Sequence, residues 1–146
     1  MYMTKTMLLG AALGLSLAWA QASDWGNWRG PNYDGSTDAK DLPTKFSKTE
    51  NVRWSVKMDG PSAATPVIWG DNVFVSSSNQ EKERLTANCY DRKTGALKWS
   101  HQVAKGFRQD NRSNYASPSP VTDGQVVTFF YGGGELATFN MDGDKL

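Results

Sequence analysis

Apart from one unbroken apolar stretch at its start, the chain shows its apolar residues in short bursts, interrupted every few positions by glycine, asparagine or aspartate. No stretch beyond that start sustains the three-and-four spacing of an amphipathic helix. The bursts are rich in valine, phenylalanine, tyrosine and tryptophan, which is the pattern of strands joined by tight turns. It predicts strands near 52–57, 65–69, 72–77, 85–90, 97–103, 119–122, 126–131 and 136–140. Between them, Gly70-Asp71-Asn72, Lys93-Thr94-Gly95, Asp123-Gly124 and Gly132-Gly133-Gly134 supply residues that tolerate positive φ, as tight hairpins require.

The strands also recur as a group. Thr65-Pro66-Val67-Ile68-Trp69-Gly70-Asp71-Asn72-Val73-Phe74-Val75 reads like the run from Ser119 to Phe129, with one residue of slack allowed at the turn, and Pro66 and Pro120 lie 54 positions apart. The run from Cys89 to Leu97 matches Phe139 to Leu146 with a shorter turn, which sets Gly95 and Gly143 48 positions apart. Trp54 and Trp99, 45 positions apart, each fall in a strand that ends a unit. One unit is therefore about four strands in roughly 50 residues, the size of a propeller blade.

The expected fold is all-β: a β-propeller of four-stranded antiparallel blades, with about one and a half blades present and the chain an N-terminal fragment ending in mid-blade. Residues 23–50 are expected to form an N-terminal latch and 51–146 a partial propeller. Within the latter, 51–57 is a closing strand, 64–103 the first blade and 116–146 a truncated second blade. Trp54, Trp99, Gly95 and Gly143 are expected to carry the packing between blades, because a large ring at one fixed place per unit fills the gap between twisted sheets.

The apolar start has a different character. Lys5 precedes a charge-free run of 14 residues from Met7 to Ala20, and small residues follow at Ala18, Ala20 and Ala22. That is a signal peptide over 1–22; the run is shorter than the ~20 residues a spanning helix needs. No membrane span is expected, and the product is expected to be periplasmic or secreted. The whole chain has 16 basic and 15 acidic residues, and Lys5 is the single charge in the leader, so 15 of each remain beyond it. A balanced, scattered charge argues against nucleic acid as a partner. Cys89 is the one cysteine, so no internal disulfide is available and stability rests on packing.

Three stretches carry a family likeness. Tyr90-Asp91-Arg92-Lys93-Thr94-Gly95-Ala96-Leu97-Lys98-Trp99, the opening run from Asp24 to Gly35 that contains Trp25, Trp28 and Arg29, and Asn114-Tyr115-Ala116-Ser117-Pro118-Ser119-Pro120 resemble exported bacterial proteins with pyrroloquinoline-quinone-like propeller repeats. That superfamily includes the outer-membrane assembly factor BamB and the quinoprotein dehydrogenases. The resemblance implies two functions of different kinds. One is a non-catalytic exported scaffold, without a cofactor, that binds a protein or cell-envelope component. The other is a quinone-dependent oxidoreductase using pyrroloquinoline quinone with calcium, whose active site lies in blades outside this chain. In the dehydrogenases the quinone is held with adjacent paired cysteines and an acidic base, and Cys89 has no adjacent partner. The scaffold is the preferred reading, because the repeats come without an acid/base or metal constellation, and the name of the repeat is not evidence of the cofactor, since a fold does not fix a function.

Individual residues add little chemistry. No catalytic or metal-binding residue is assigned. Gly132 to Gly134 precede a strand, so they read as a hairpin turn and not as a phosphate cradle, which needs a following helix. His101 lacks companions at metal-ligand spacing. Asp91, Asp123, Asp142 and Asp144 sit at turns, where aspartate caps the local backbone. Asn111-Arg112-Ser113 matches a glycosylation acceptor with no use in a bacterial protein. Trp25, Trp28, Arg29 and Tyr33 are read first as a latch packed across the propeller face, with partner contact, at Trp28 and Arg29, as the competing reading. Partner contact is expected at Phe107, Arg108 and Asn111, in the longest loop, 105–114.

Overall fold

The computed structural model describes residues 24–40 and 42–146, so the signal peptide assigned to 1–22 lies outside the described residues. Seven strands form: β1 (Val67–Trp69), β2 (Asn72–Asn79), β3 (Arg84–Asp91), β4 (Leu97–Lys105), β5 (Val121–Thr122), β6 (Val126–Phe130) and β7 (Leu136–Asn140). They make two antiparallel meanders, a four-stranded sheet ordered β1-β2-β3-β4 and a three-stranded sheet ordered β5-β6-β7. No helix is present among the described residues. One complete blade and three strands of a second are therefore in place.

The register shows the repeat directly. Val67 pairs with Phe74 and Ile68 with Val73, while Val121 pairs with Thr128 and Thr122 with Val127, so a constant offset of 54 holds across the first hairpin and no slack is needed. The third strands differ from the sequence match. Val73 faces Tyr90 and Val127 faces Phe139, which makes Tyr90, not Cys89, the counterpart of Phe139. The turn in the second blade is then one residue shorter. After it, Lys145 bridges Phe139 as Leu97 pairs with Tyr90, and the Leu146 amide donates to the Thr138 carbonyl at 2.9 Å.

Four strand expectations change. The stretch 51–57 is not a strand: an extended segment becomes one only when a neighbour's amides and carbonyls accept its ladder, and no such neighbour lies beside it among the described residues. β1 and β5 begin after Pro66 and Pro120, residues that have no N–H to give to a ladder. β2 in turn runs on to Asn79, because Ser76, Ser77 and Ser78, read as polar, are all fully buried.

The core lies between the sheets. Strand alternation sends Phe74 from β2, Leu85, Ala87 and Cys89 from β3 and Trp99 from β4 to one side, where they meet Val127, Phe129 and Tyr131 of the β6 edge and Ala137 and Phe139 of β7. Trp99 touches the rings of Phe74, Phe129 and Phe139 at centroid distances of 5.8, 6.2 and 5.4 Å. The opposite face of the four-stranded sheet holds Val73, Val75 and Tyr90, covered by Trp54 and Met58. Its polar members are internally paired: the Ser77 and Thr86 hydroxyls lie 2.6 Å apart, and the Asn88 amide donates to the Val75 carbonyl at 3.1 Å.

Candidate functional site

Two tryptophans are seated in the same way on successive turns. The Trp54 indole N–H donates to the Arg92 carbonyl at 2.9 Å, and a methyl added at Gly95 would lie 2.7 Å from the Trp54 ring. The Trp99 indole N–H donates to the Met141 carbonyl at 3.2 Å, and a methyl at Gly143 would lie 2.7 Å from the Trp99 ring. Both glycines have left-handed φ, 74° and 97°, so a side chain there meets strain as well as the ring. Trp54 thus joins Gly95, and Trp99 joins Gly143.

A third ring of this kind escaped sequence reasoning. Trp69 of β1 lies against Gly124 in the turn of the other sheet, at φ 89°, and against Gly26. Its counterpart under the 54-residue offset is Asp123, so the repeat gave no signal for it.

The segment 24–26 stitches the two sheets together. Trp25 and Ile68 exchange backbone hydrogen bonds of 2.8 Å, the Gly26 carbonyl accepts from Thr122 at 2.8 Å, and the Asp24 carboxylate accepts from the Gly70 amide at 2.7 Å. Beyond it the chain folds into a braced loop. The Asn27 side chain both donates to the Gly30 carbonyl and accepts from the Arg29 amide, each at 3.0 Å, while the Gly35 amide donates to the Arg29 carbonyl at 2.9 Å. This loop turns Trp28, Arg29 and Tyr33 outward beside Ser119, Pro120 and Val121, around a cleft of about 290 Å³. The Arg29 guanidinium lies 4.8 Å over the Trp28 ring.

The 105–114 loop is more ordered than its length suggests. Gln109 bridges Asn114, and the Asp110 carboxylate accepts from the amides of Arg112 and Ser113 at 2.8 and 2.9 Å. Arg108 lines a second hollow of about 190 Å³ with Asp110, Ser113, Asn114, Tyr115 and Gly132. Phe107 and Asn111 line neither hollow, and the five expected contact residues do not form one site.

The groups with reactive chemistry are engaged elsewhere. Burial pushes the Cys89 thiol up to about 12, which leaves it protonated and inert at neutral pH. Asp91 is held below the carboxylate range by the Thr94 hydroxyl and the amides of the turn, Asp123 by the amides of Val126 and Gln125, and Asp110 by those of Arg112 and Ser113. Such carboxylates are poor proton acceptors. His101 stacks on Phe139 at 5.1 Å with the planes 11° apart. Among the described residues no three of His, Cys, Asp and Glu come together as a metal would need.

Antiparallel blades stacked face to face, each joined to the next by an indole seated on a turn glycine, define a β-propeller of the pyrroloquinoline-quinone-like repeat class. The chain belongs to the family described as outer membrane protein assembly factor BamB, whose model matches residues 36–146. No curated protein matches the chain. No helix among the described residues is long and apolar enough to cross a membrane.

Proposed function

We propose that the chain is a non-catalytic, exported propeller scaffold that binds a protein or cell-envelope partner. The observation that carries this reading is where the reactive groups sit. Cys89 is sealed in the seam between the sheets, Asp91 and Asp123 accept from the backbone amides of their turns, and His101 is stacked on Phe139. What faces outward instead is an aromatic and cationic cleft on a braced loop. The family description, an assembly factor of the outer membrane, agrees with a protein that acts by holding others. Export is supported by the charge-free run after Lys5.

The competing oxidoreductase reading is separated by titrating the protein, together with the further blades in which that reading places its active site, with pyrroloquinoline quinone, with and without calcium, and following the quinone absorbance. No calcium-dependent shift is expected across a wide concentration range. Saturable, calcium-dependent binding would replace the scaffold with the enzyme.

A further inference from the structure

We infer that the cleft around Trp28, Arg29 and Tyr33 is a docking site for an acidic protein segment in which a carboxylate side chain stands next to an aromatic or aliphatic one. The inference rests on the scaffold reading and deepens it by giving the partner's chemistry.

Exposure is the first argument. Trp28 and Tyr33 are 61% and 73% exposed, yet neither is on a loose segment. Gly30, at φ 72°, lies so close over the Trp25 ring that a methyl would come within 2.6 Å of it, and Trp25 is itself paired to β1. Tyr33 is held at φ 59°, a conformation a bulky residue adopts only when its surroundings impose it, with its amide donating to the Gly30 carbonyl at 3.2 Å. Large rings fixed outward on a rigid platform lose little freedom when a partner covers them. They suit an apolar side chain.

Charge is the second argument. Arg29 is the only charged residue lining the cleft, and its guanidinium forms no ion pair among the described residues. The guanidinium lies over the Trp28 ring, and a guanidinium fork matches a carboxylate in bidentate fashion. The remaining polar lining is largely spent. Asn27 uses both ends of its amide on the loop backbone, and the Ser119 hydroxyl oxygen accepts from the Thr65 amide at 2.9 Å. A sugar, which needs several hydrogen-bonding side chains around one ring, finds too few here. One carboxylate beside one apolar side chain satisfies what is offered.

The test uses the full chain and fluorescein-labelled peptides that alternate aspartate with leucine and phenylalanine, asparagine with the same residues, or lysine with them. Fluorescence anisotropy is expected to show the aspartate peptide binding about tenfold more tightly than the asparagine peptide. Trp28→Ala should weaken both about tenfold. Arg29→Gln should abolish the preference, and Arg29→Glu should transfer it to the lysine peptide. Both residues are exposed, and far-UV circular dichroism confirms that each variant keeps its β signal. Equal binding of the aspartate and asparagine peptides, no binding by a folded chain, or a preference unmoved by Arg29→Glu overturns the proposal. So does Trp28-dependent binding of a hexose oligomer in place of the peptide, or an Arg29 effect confined to self-association. None of these outcomes touches the scaffold reading, which falls only to calcium-dependent quinone binding.

Discussion

Val67 and Val121 are the same residue at equivalent places in two successive blades, each paired to the second strand of its own sheet, yet Val67 is 0% exposed and Val121 51%. The difference lies entirely in the neighbour. Val67 faces the seam, where Phe129 and Phe139 arrive from the other sheet; Val121 faces outward with Phe130 and Leu136, each left about half exposed or more. The first blade is enclosed on both sides, by the second blade and by Trp54 with Met58, whereas the second is enclosed on one. A blade is thus not a unit that buries its own apolar residues. Its stability comes from stacking, as in other repeat architectures.

The largest test of that comparison uses two adjacent phenylalanines of β6. Phe129 points into the seam and is fully buried; Phe130 points the other way and is 46% exposed. Phe129→Ala is expected to cost about 3–5 kcal/mol by opening a cavity against Trp99 and Phe139. Phe130→Ala should cost less, about 1–1.5 kcal/mol, since only about half of its apolar area leaves water. Urea denaturation of the full chain, compared at constant slope, measures both. Equal costs would mean that the seam is not the seat of stability.

A finer comparison sets one turn glycine against another. Gly134 and Gly143 have nearly the same φ, 100° and 97°, so alanine meets the same backbone strain at each, about 1–2 kcal/mol. Only Gly143 has the Trp99 ring above it; around Gly134 there is open space. Gly143→Ala should therefore cost about 1–3 kcal/mol more than Gly134→Ala, from overpacking against the indole. The same thermal or urea melts decide it, and a loss of the near-ultraviolet tryptophan signal in Gly143→Ala alone would locate the damage at the ring.

Much of this architecture was legible in the sequence because the repeat is written in residues whose roles are local and identical. Proline before β1 and β5, glycine at the turns and tryptophan at the end of a unit each do the same thing twice. What was not legible depends on partners far along the chain. Residues 51–57 have the apolar pattern of a strand, but strand formation needs a neighbouring ladder, and the segment instead seats Trp54 on the turn at Arg92. Trp69 packs against the other sheet at a position whose counterpart is Asp123, so no repetition marks it. The cleft joins a loop near residue 30 to residues near 120, brought together by the Thr122 amide donating to the Gly26 carbonyl and by Trp69 packed against both Gly26 and Gly124.

The smallest expected effect also separates the closed seam from the open face, and it is read in pH. Cys89 and Tyr131 are buried in the seam, and burial pushes both upward, the thiol from its ordinary 9.0 to about 12, with the Glu135 charge adding to the rise of the phenol. For an acid whose pKa rises on folding, the unfolded chain releases its proton first. Between pH 9 and 12 the unfolded state then binds fewer protons than the folded one, so the contribution of Cys89 to stability is whole below 9 and is lost as pH climbs toward 12. The urea midpoint should fall across that window, and Cys89→Ala should flatten part of the fall even if it lowers the midpoint at every pH. Phe130→Ala, on the open face, should leave the slope with pH as it was. A midpoint that stays level from 9 to 12 in the unaltered chain would mean that water reaches the thiol and that the seam opens more readily than its packing implies.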